Sequence, residues 1–194
     1  MVLEANCAEL ATCALRPSGI FGPGKDRLLI PPLAQRAEAG KMKYIIGSGD
    51  NMFEWTYVGN VAAAHVCAAD KLEPGNAAAG QAFFVTNDDP ELFWGVMGDF
   101  CEGLGYPRPS VRLPVWLMMI MAYAALYFGN LLGISVGLNP MRVRVASLQR
   151  TLSCAKAKEV LGYKPVTSMQ RGKQLTIEHF QHLHKDAQAV KKTT

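Results

Sequence analysis

Two periods of apolar spacing alternate along the first hundred residues. Residues 12–16 and 82–86 are short apolar runs suited to buried strands, whereas 28–39, 61–72 and 91–104 repeat their apolar positions at helical spacing. The start, 2–10, reads as the end of a helix, with Val2, Leu3, Cys7 and Leu10 on one side. Short extended pieces are expected at 43–46 and 54–58. Asn60 is placed to cap helix 61–72, Pro74-Gly75 to end it, and Pro90 to open helix 91–104. Strands alternating with helices predict an α/β fold on a mainly parallel sheet.

Residues 113–141 break the pattern, because they contain no charged residue and no histidine. Val115 to Leu132 alone would reach about 27 Å as a helix, close to the minimum that crosses a bilayer. Gly129-Asn130 interrupts the run and Leu131 to Leu138 resumes it. Either the segment associates with a membrane, crossing it or lying in one leaflet, or it is a buried helix over a substrate site. Beyond it, 142–152 is mixed, Ser153 can cap a helix at 154–161 closed by Gly162, and Ser168 can cap a last helix to about residue 185. The chain thus divides into 1–112, 113–141 and 142–194.

Charge sharpens this division. Charged residues are 19% of the chain, against about 25% in soluble domains. Residues 142–194 hold 11 Lys/Arg against 3 Asp/Glu, while residues 1–141 hold 9 against 13. A basic tail behind an acidic body fits an anionic lipid surface. No cationic run is interleaved with aromatics, which argues against nucleic acid as a partner. The five cysteines are scattered with no CxxC pair, so neither a disulfide framework nor a zinc site is expected. Met1 to Ala14 has no basic start and carries Glu4 and Glu9, unlike a signal peptide.

Candidate chemistry begins at Leu15-Arg-Pro-Ser-Gly-Ile-Phe-Gly-Pro-Gly24. A strand running into a Gly/Pro loop is where open α/β sheets place ligands. The alternative is a tight strand-to-helix connection. Trp55 and Tyr57, two apart in an extended piece, would face one side. They either line a cleft or fill the core, with the core favoured. Arg16 reads as a structural ion-pair partner, His65 as a core histidine, and His179, His182 and His184 as solvated.

Three stretches resemble the extended short-chain dehydrogenases of the 3β-hydroxysteroid dehydrogenase family, in particular its sterol-4α-carboxylate 3-dehydrogenase (decarboxylating) branch. They are Leu15 to Gly24, the run Gly47-Ser-Gly-Asp-Asn-Met-Phe-Glu-Trp-Thr-Tyr-Val-Gly-Asn-Val-Ala-Ala-Ala-His-Val66, and Asn139-Pro-Met-Arg-Val143 with Leu152 to Pro165. The resemblance implies the C-terminal part of a Rossmann fold with a smaller α/β substrate region. It implies oxidation of a sterol 3β-hydroxyl with NAD or NADP, after which a C4 carboxylate can leave because the new ketone accepts the charge as an enolate. Pro17, Ser18, Gly19 and Ile20 match the loop whose backbone lies along the nicotinamide. Phe53 stands where nucleotide-sugar relatives commonly carry a diphosphate-gripping Arg. It either packs on the sterol or belongs to the core, and in both cases argues against a nucleotide sugar. Trp55 and Tyr57 are the other candidate substrate residues.

The chain departs from the family in two respects. It has no Gly-rich pyrophosphate turn and no Tyr-x-x-x-Lys pair, since none of its six tyrosines is followed four positions later by Lys. It therefore reads as the portion after the catalytic helix, without turnover and poorly stable alone. Implied partners are the sterol, a membrane, and either a second copy or a full-length relative; a non-catalytic membrane-bound short isoform is the alternative. Lys191-Lys192 near the end resembles the dilysine retrieval signal of endoplasmic-reticulum membrane proteins, which would place the chain on the cytosolic face of that membrane.

Overall fold

The computed structural model describes residues 1–134 and 137–183. In chain order its strands are β1 (Ala14–Pro17), β2 (Ile20–Phe21), β3 (Tyr44–Ile46), β4 (Met52–Phe53), β5 (Thr56–Tyr57), β6 (Ala82–Val85), β7 (Glu91–Leu92) and β8 (Val111–Leu113). Its α-helices are α1 (Ile30–Glu38), α2 (Val58–Lys71), α3 (Phe93–Gly103), α4 (Val115–Leu132), α5 (Pro140–Ser147), α6 (Ala155–Leu161) and α7 (Met169–Phe180). The chain forms two compact units, one from residues 1–29, 54–90 and 151–180, the other built mainly from 30–53 and 91–150.

In the first unit β1 runs parallel to β6, with Ala14 opposite Ala82 and Pro17 opposite Val85. The short β2 runs parallel to β5. Alternation along β6 buries Phe83 and Val85 and exposes Phe84. Alanines at 64 and 68 let α2 approach that face closely, and Cys154, Ala157, Leu161 and Tyr163 close the same core. Helix α7 comes so near the Phe21–Tyr57 pair that a Cβ on Gly172 would lie 2.9 Å from Tyr57 Cδ2 and 3.2 Å from Phe21 Cε2.

In the second unit β3 runs parallel to β8, and β4 runs antiparallel to β7. Helix α4 lays Met118 and Ala122 against Val143 of α5, with Ile46, Leu113 and Leu138 packed around them. It ends at Gly133 in the left-handed conformation, φ 65°. Asn139 then caps α5, its side chain accepting from the Arg142 N–H at 2.9 Å, with Pro140 at the first helical position.

The α/β architecture and its mainly parallel pairing agree with the sequence pattern, and α4 spans the residues expected. Elsewhere the structure corrects it. Residues 2–10 form only a 3-10 turn at Leu3–Ala5, because Val2 and Leu10 are exposed and no partner buries an apolar face. Asn60 is not a cap: α2 begins at Val58, and Asn60 is buried within its first turn. Pro90 does not open a helix, since Glu91–Leu92 pair with β4 and α3 starts at Phe93. Of the extended piece expected at 54–58 only Thr56–Tyr57 is strand, since Met52–Phe53 form a separate strand before it and Val58 already opens α2. The mixed region after 141 holds most of α5, and β8 had no sequence signal.

Gly172→Ala should lower stability by about 1–3 kcal/mol despite alanine's better helix propensity, because the methyl has no room against Tyr57. A urea melt showing the variant at or above the parent would contradict this packing.

Candidate functional site

The turn after β1 is fixed by backbone bonds before any ligand is considered. The Ser18 N–H donates to the Val85 carbonyl at 3.2 Å, and the Gly19 carbonyl accepts from the Thr56 N–H at 3.1 Å. The Thr56 hydroxyl also donates to Val85 O, at 2.9 Å. With those groups committed, Ser18 Oγ is fully buried and has no hydrogen-bond partner among the described residues. A buried hydroxyl left unpaired costs about 1–3 kcal/mol, so it marks a place for a polar ligand atom or a water. Beside it Ile20 is about half exposed.

Behind the turn lies a closed network of amides. Asn87, just past β6, accepts from the Tyr57 N–H at 2.8 Å and from Asn60 Nδ2 at 2.8 Å through its Oδ1. Asn60 Nδ2 also donates to the Thr167 carbonyl at 2.8 Å, and its Oδ1 accepts from the Val166 and Thr167 N–H groups, each at 2.9 Å. Asn87 Nδ2 reaches the same Thr167 carbonyl at 3.2 Å. Every polar atom of the two side-chain amides is used, which is the condition under which a buried polar network holds one geometry.

Three ionisable groups border it. Glu54 is buried, and burial pushes its carboxyl above the usual range; the Asp89 N–H at 3.2 Å and Thr86 oppose this, while the Asp88 and Asp89 charges add to it. Asp88 stands in the left-handed conformation, φ 57°. The Lys158 ammonium bonded to it holds its carboxyl below the usual range, with help from the Cys154 thiol. Burial pushes the Tyr163 phenol up, and it donates to the Thr86 carbonyl at 2.9 Å. A buried phenol already spent on a backbone carbonyl is no proton-transfer group.

The expected residues fall as follows. Pro17 ends β1, Ser18 and Gly19 form the pinned turn, and Ile20 opens β2. Trp55 and Tyr57 flank Phe21, with ring centroids 6.4 and 5.8 Å away and edge-on geometry. Trp55 lies just before β5 and Tyr57 ends it, and both meet Phe21 as residues two apart were expected to. Phe53 lies in the second unit, buried against Phe93 at 5.4 Å with the Arg150 guanidinium 5.7 Å over its ring. Arg16 is exposed and makes no ion pair among the described residues. His65 is exposed, not a core residue; its Nδ1 lies 2.8 Å from the Val61 carbonyl, which satisfies it one turn back. His179 and His182 are exposed, as expected. His184, Lys191 and Lys192 lie outside the described residues. No cluster able to hold a metal exists among the described residues. Sequence reasoning missed Glu54, Asn87 and Asp88. The polar run Thr86-Asn-Asp-Asp89 directly after a buried strand was the available signal.

The profile of the 3-beta hydroxysteroid dehydrogenase/isomerase family matches residues 1–115. The chain belongs to that family. It is 48% identical, over 94% of its length, to the 3beta-hydroxysteroid-dehydrogenase/decarboxylase isoform 1 of Arabidopsis thaliana, covering 44% of that protein. It is 38% identical, over 95% of its length, to a mouse sterol-4-alpha-carboxylate 3-dehydrogenase, decarboxylating, covering 52% of it. The chain therefore spans about half the length of the curated relatives it matches. In fold this family member resembles an epimerase from Methanothermobacter thermautotrophicus (TM-score 0.62, 20% identity, 93% of this chain and 46% of that one). It also resembles a UDP-glucose 4-epimerase of Thermus thermophilus solved with NAD (TM-score 0.57, 22% identity, 89% and 47%).

Two outcomes test the network. Asn60→Asp should destabilise the family member by about 2–4 kcal/mol in urea, because a carboxylate oxygen would face Asn87 Oδ1 and the Thr167 carbonyl; a neutral effect would contradict the geometry. Glu54's raised pKa means that the fold penalises its charged form. That penalty is absent below the unfolded pKa and grows as pH rises through the folded one. Glu54→Gln should therefore raise the urea midpoint at about pH 7 and lose its advantage toward about pH 4. An advantage that does not change with pH would count against it.

Proposed function

We propose that this chain carries the substrate-side portion of an NAD- or NADP-dependent oxidoreductase acting on a sterol CH–OH group in sterol biosynthesis, of the sterol-4α-carboxylate 3-dehydrogenase (decarboxylating) kind. The observation that carries the reading is its 48% identity, along nearly its whole length, to a plant protein named for that chemistry.

The residues present fit one end of the dinucleotide. Ser18 Oγ is the orphaned polar atom at the turn, and the Ser18–Val85 and Gly19–Thr56 bonds hold that turn rigid. A bound dinucleotide would supply the hydride acceptor. Pro17, Ser18, Gly19 and Ile20 would orient its nicotinamide end, and Phe21 with Trp55 and Tyr57 would exclude water behind it. No Tyr-x-x-x-Lys pair is present, so the proton of the sterol hydroxyl is not removed by this chain. That same feature favours a second reading, a non-catalytic form that binds sterol, or pairs with a full-length relative or a second copy. The apolar α4 supports a place at a membrane, which we assign to the cytosolic face of the endoplasmic reticulum.

Equilibrium binding of a radiolabelled 3β-hydroxy-4α-carboxysterol to the 194-residue chain in micelles tests the reading. Saturable sterol binding, no binding of UDP-glucose, and no reduction of added NAD or NADP are expected. Binding of UDP-glucose in place of sterol would overturn the substrate class, and reduction of the dinucleotide would overturn the division of labour.

A further inference from the structure

Helix α4 leaves most of its apolar surface uncovered. Met118, Ala122 and Gly129 form one narrow buried stripe, whereas Trp116, Tyr123, Tyr127, Phe128, Leu131 and Leu132 are all exposed. Contiguous apolar surface of this extent marks a binding face. The helix is long and apolar enough to cross a bilayer.

The rest of the chain forbids a crossing. Leu113, just before α4, and Leu138, after it, both pack on the Met118–Ala122–Val143 cluster. By Gly137 the chain is back against its own unit, its carbonyl accepting from Arg36 of α1 at 3.0 Å and from Arg142 at 2.7 Å. In the first unit, Phe83 and Val85 from before α4 share a core with Cys154, Leu161 and Tyr163 from after it. Residues that form one core cannot stand on opposite faces of a membrane.

Charge indicates what covers the face. No acidic residue lies between Glu102 and Glu159, while Arg112, Arg142, Arg144 and Arg150 in that span are exposed. Arg36 and Arg142 converge on one carbonyl, and neither has an acidic partner among the described residues. Two guanidinium groups gathered where an apolar helix returns suit a phosphate headgroup.

We infer that α4 is embedded in a single leaflet of an anionic bilayer, with the chain entering and leaving on the same side. This rests on the membrane part of the proposed function and adds its topology. The occupant of the exposed face is lipid, not a second copy of the chain.

The test adds the full chain to preformed phosphatidylcholine–phosphatidylserine vesicles, recovers it by flotation, and labels it with a membrane-impermeant maleimide. Ser110→Cys and Gln149→Cys, both at exposed positions flanking α4, should each gain one label without detergent. Tyr127→Asp should weaken flotation about tenfold or more. If one introduced cysteine is protected until detergent is added, the helix crosses, and the single-leaflet topology fails while the membrane reading stands. If the chain does not float, the membrane reading itself fails and the topology with it. A chain that stays in solution as a dimer, and becomes monomeric on Tyr127→Asp, would assign the face to a second copy and overturn the inference.

Discussion

The buried amide of Asn60 is the constraint on which the first unit depends. One side chain joins α2 to the segment at Val166–Thr167, and through Asn87 it reaches the end of β6. The Asn87 backbone N–H donates in turn to the Trp55 carbonyl at 2.9 Å. The turn at Ser18 and Gly19 is held one layer away, by Val85 and Thr56. Short strands of two to four residues supply few ladder bonds of their own. Side-chain amides do the joining that longer strands would do by backbone pairing.

That economy bears on function. A family whose chemistry needs a fixed distance between hydride donor and acceptor cannot tolerate a loose turn. Here the turn's backbone groups are consumed internally, and one hydroxyl is left over at Ser18. Rigidity comes from the chain itself, and in the proposed function the Ser18 hydroxyl and the aromatic group of Phe21, Trp55 and Tyr57 would meet the ligand. The same joining of distant segments underlies the proposed membrane topology, because residues on both sides of α4 belong to one core.

Much of this was legible in the residues. The alternation of strand and helix periods gave the α/β class, and the absence of charge from 113 to 141 gave α4 with its limits. The Gly/Pro composition marked the turn. What stayed hidden was decided by partners far away in the chain. Asn60 has the look of a cap, but its bonds go more than a hundred residues away to Val166 and Thr167. Strands as short as β7 and β8 carry no readable period. Helix α5 did carry a local signal, Asn139-Pro140, which the neighbouring apolar run obscured. The loss of a partner for Ser18 Oγ follows only from where Val85 and Thr56 lie.

Native-state hydrogen exchange of the vesicle-bound chain addresses the central claim directly. If the Asn60 node ties the segment after α4 into the core built before it, the Val166 and Thr167 amides should exchange as slowly as those of β1 and β6, opening only with the whole unit. Exchange of those two amides at the rate of exposed loops, while β1 and β6 stay protected, would contradict it.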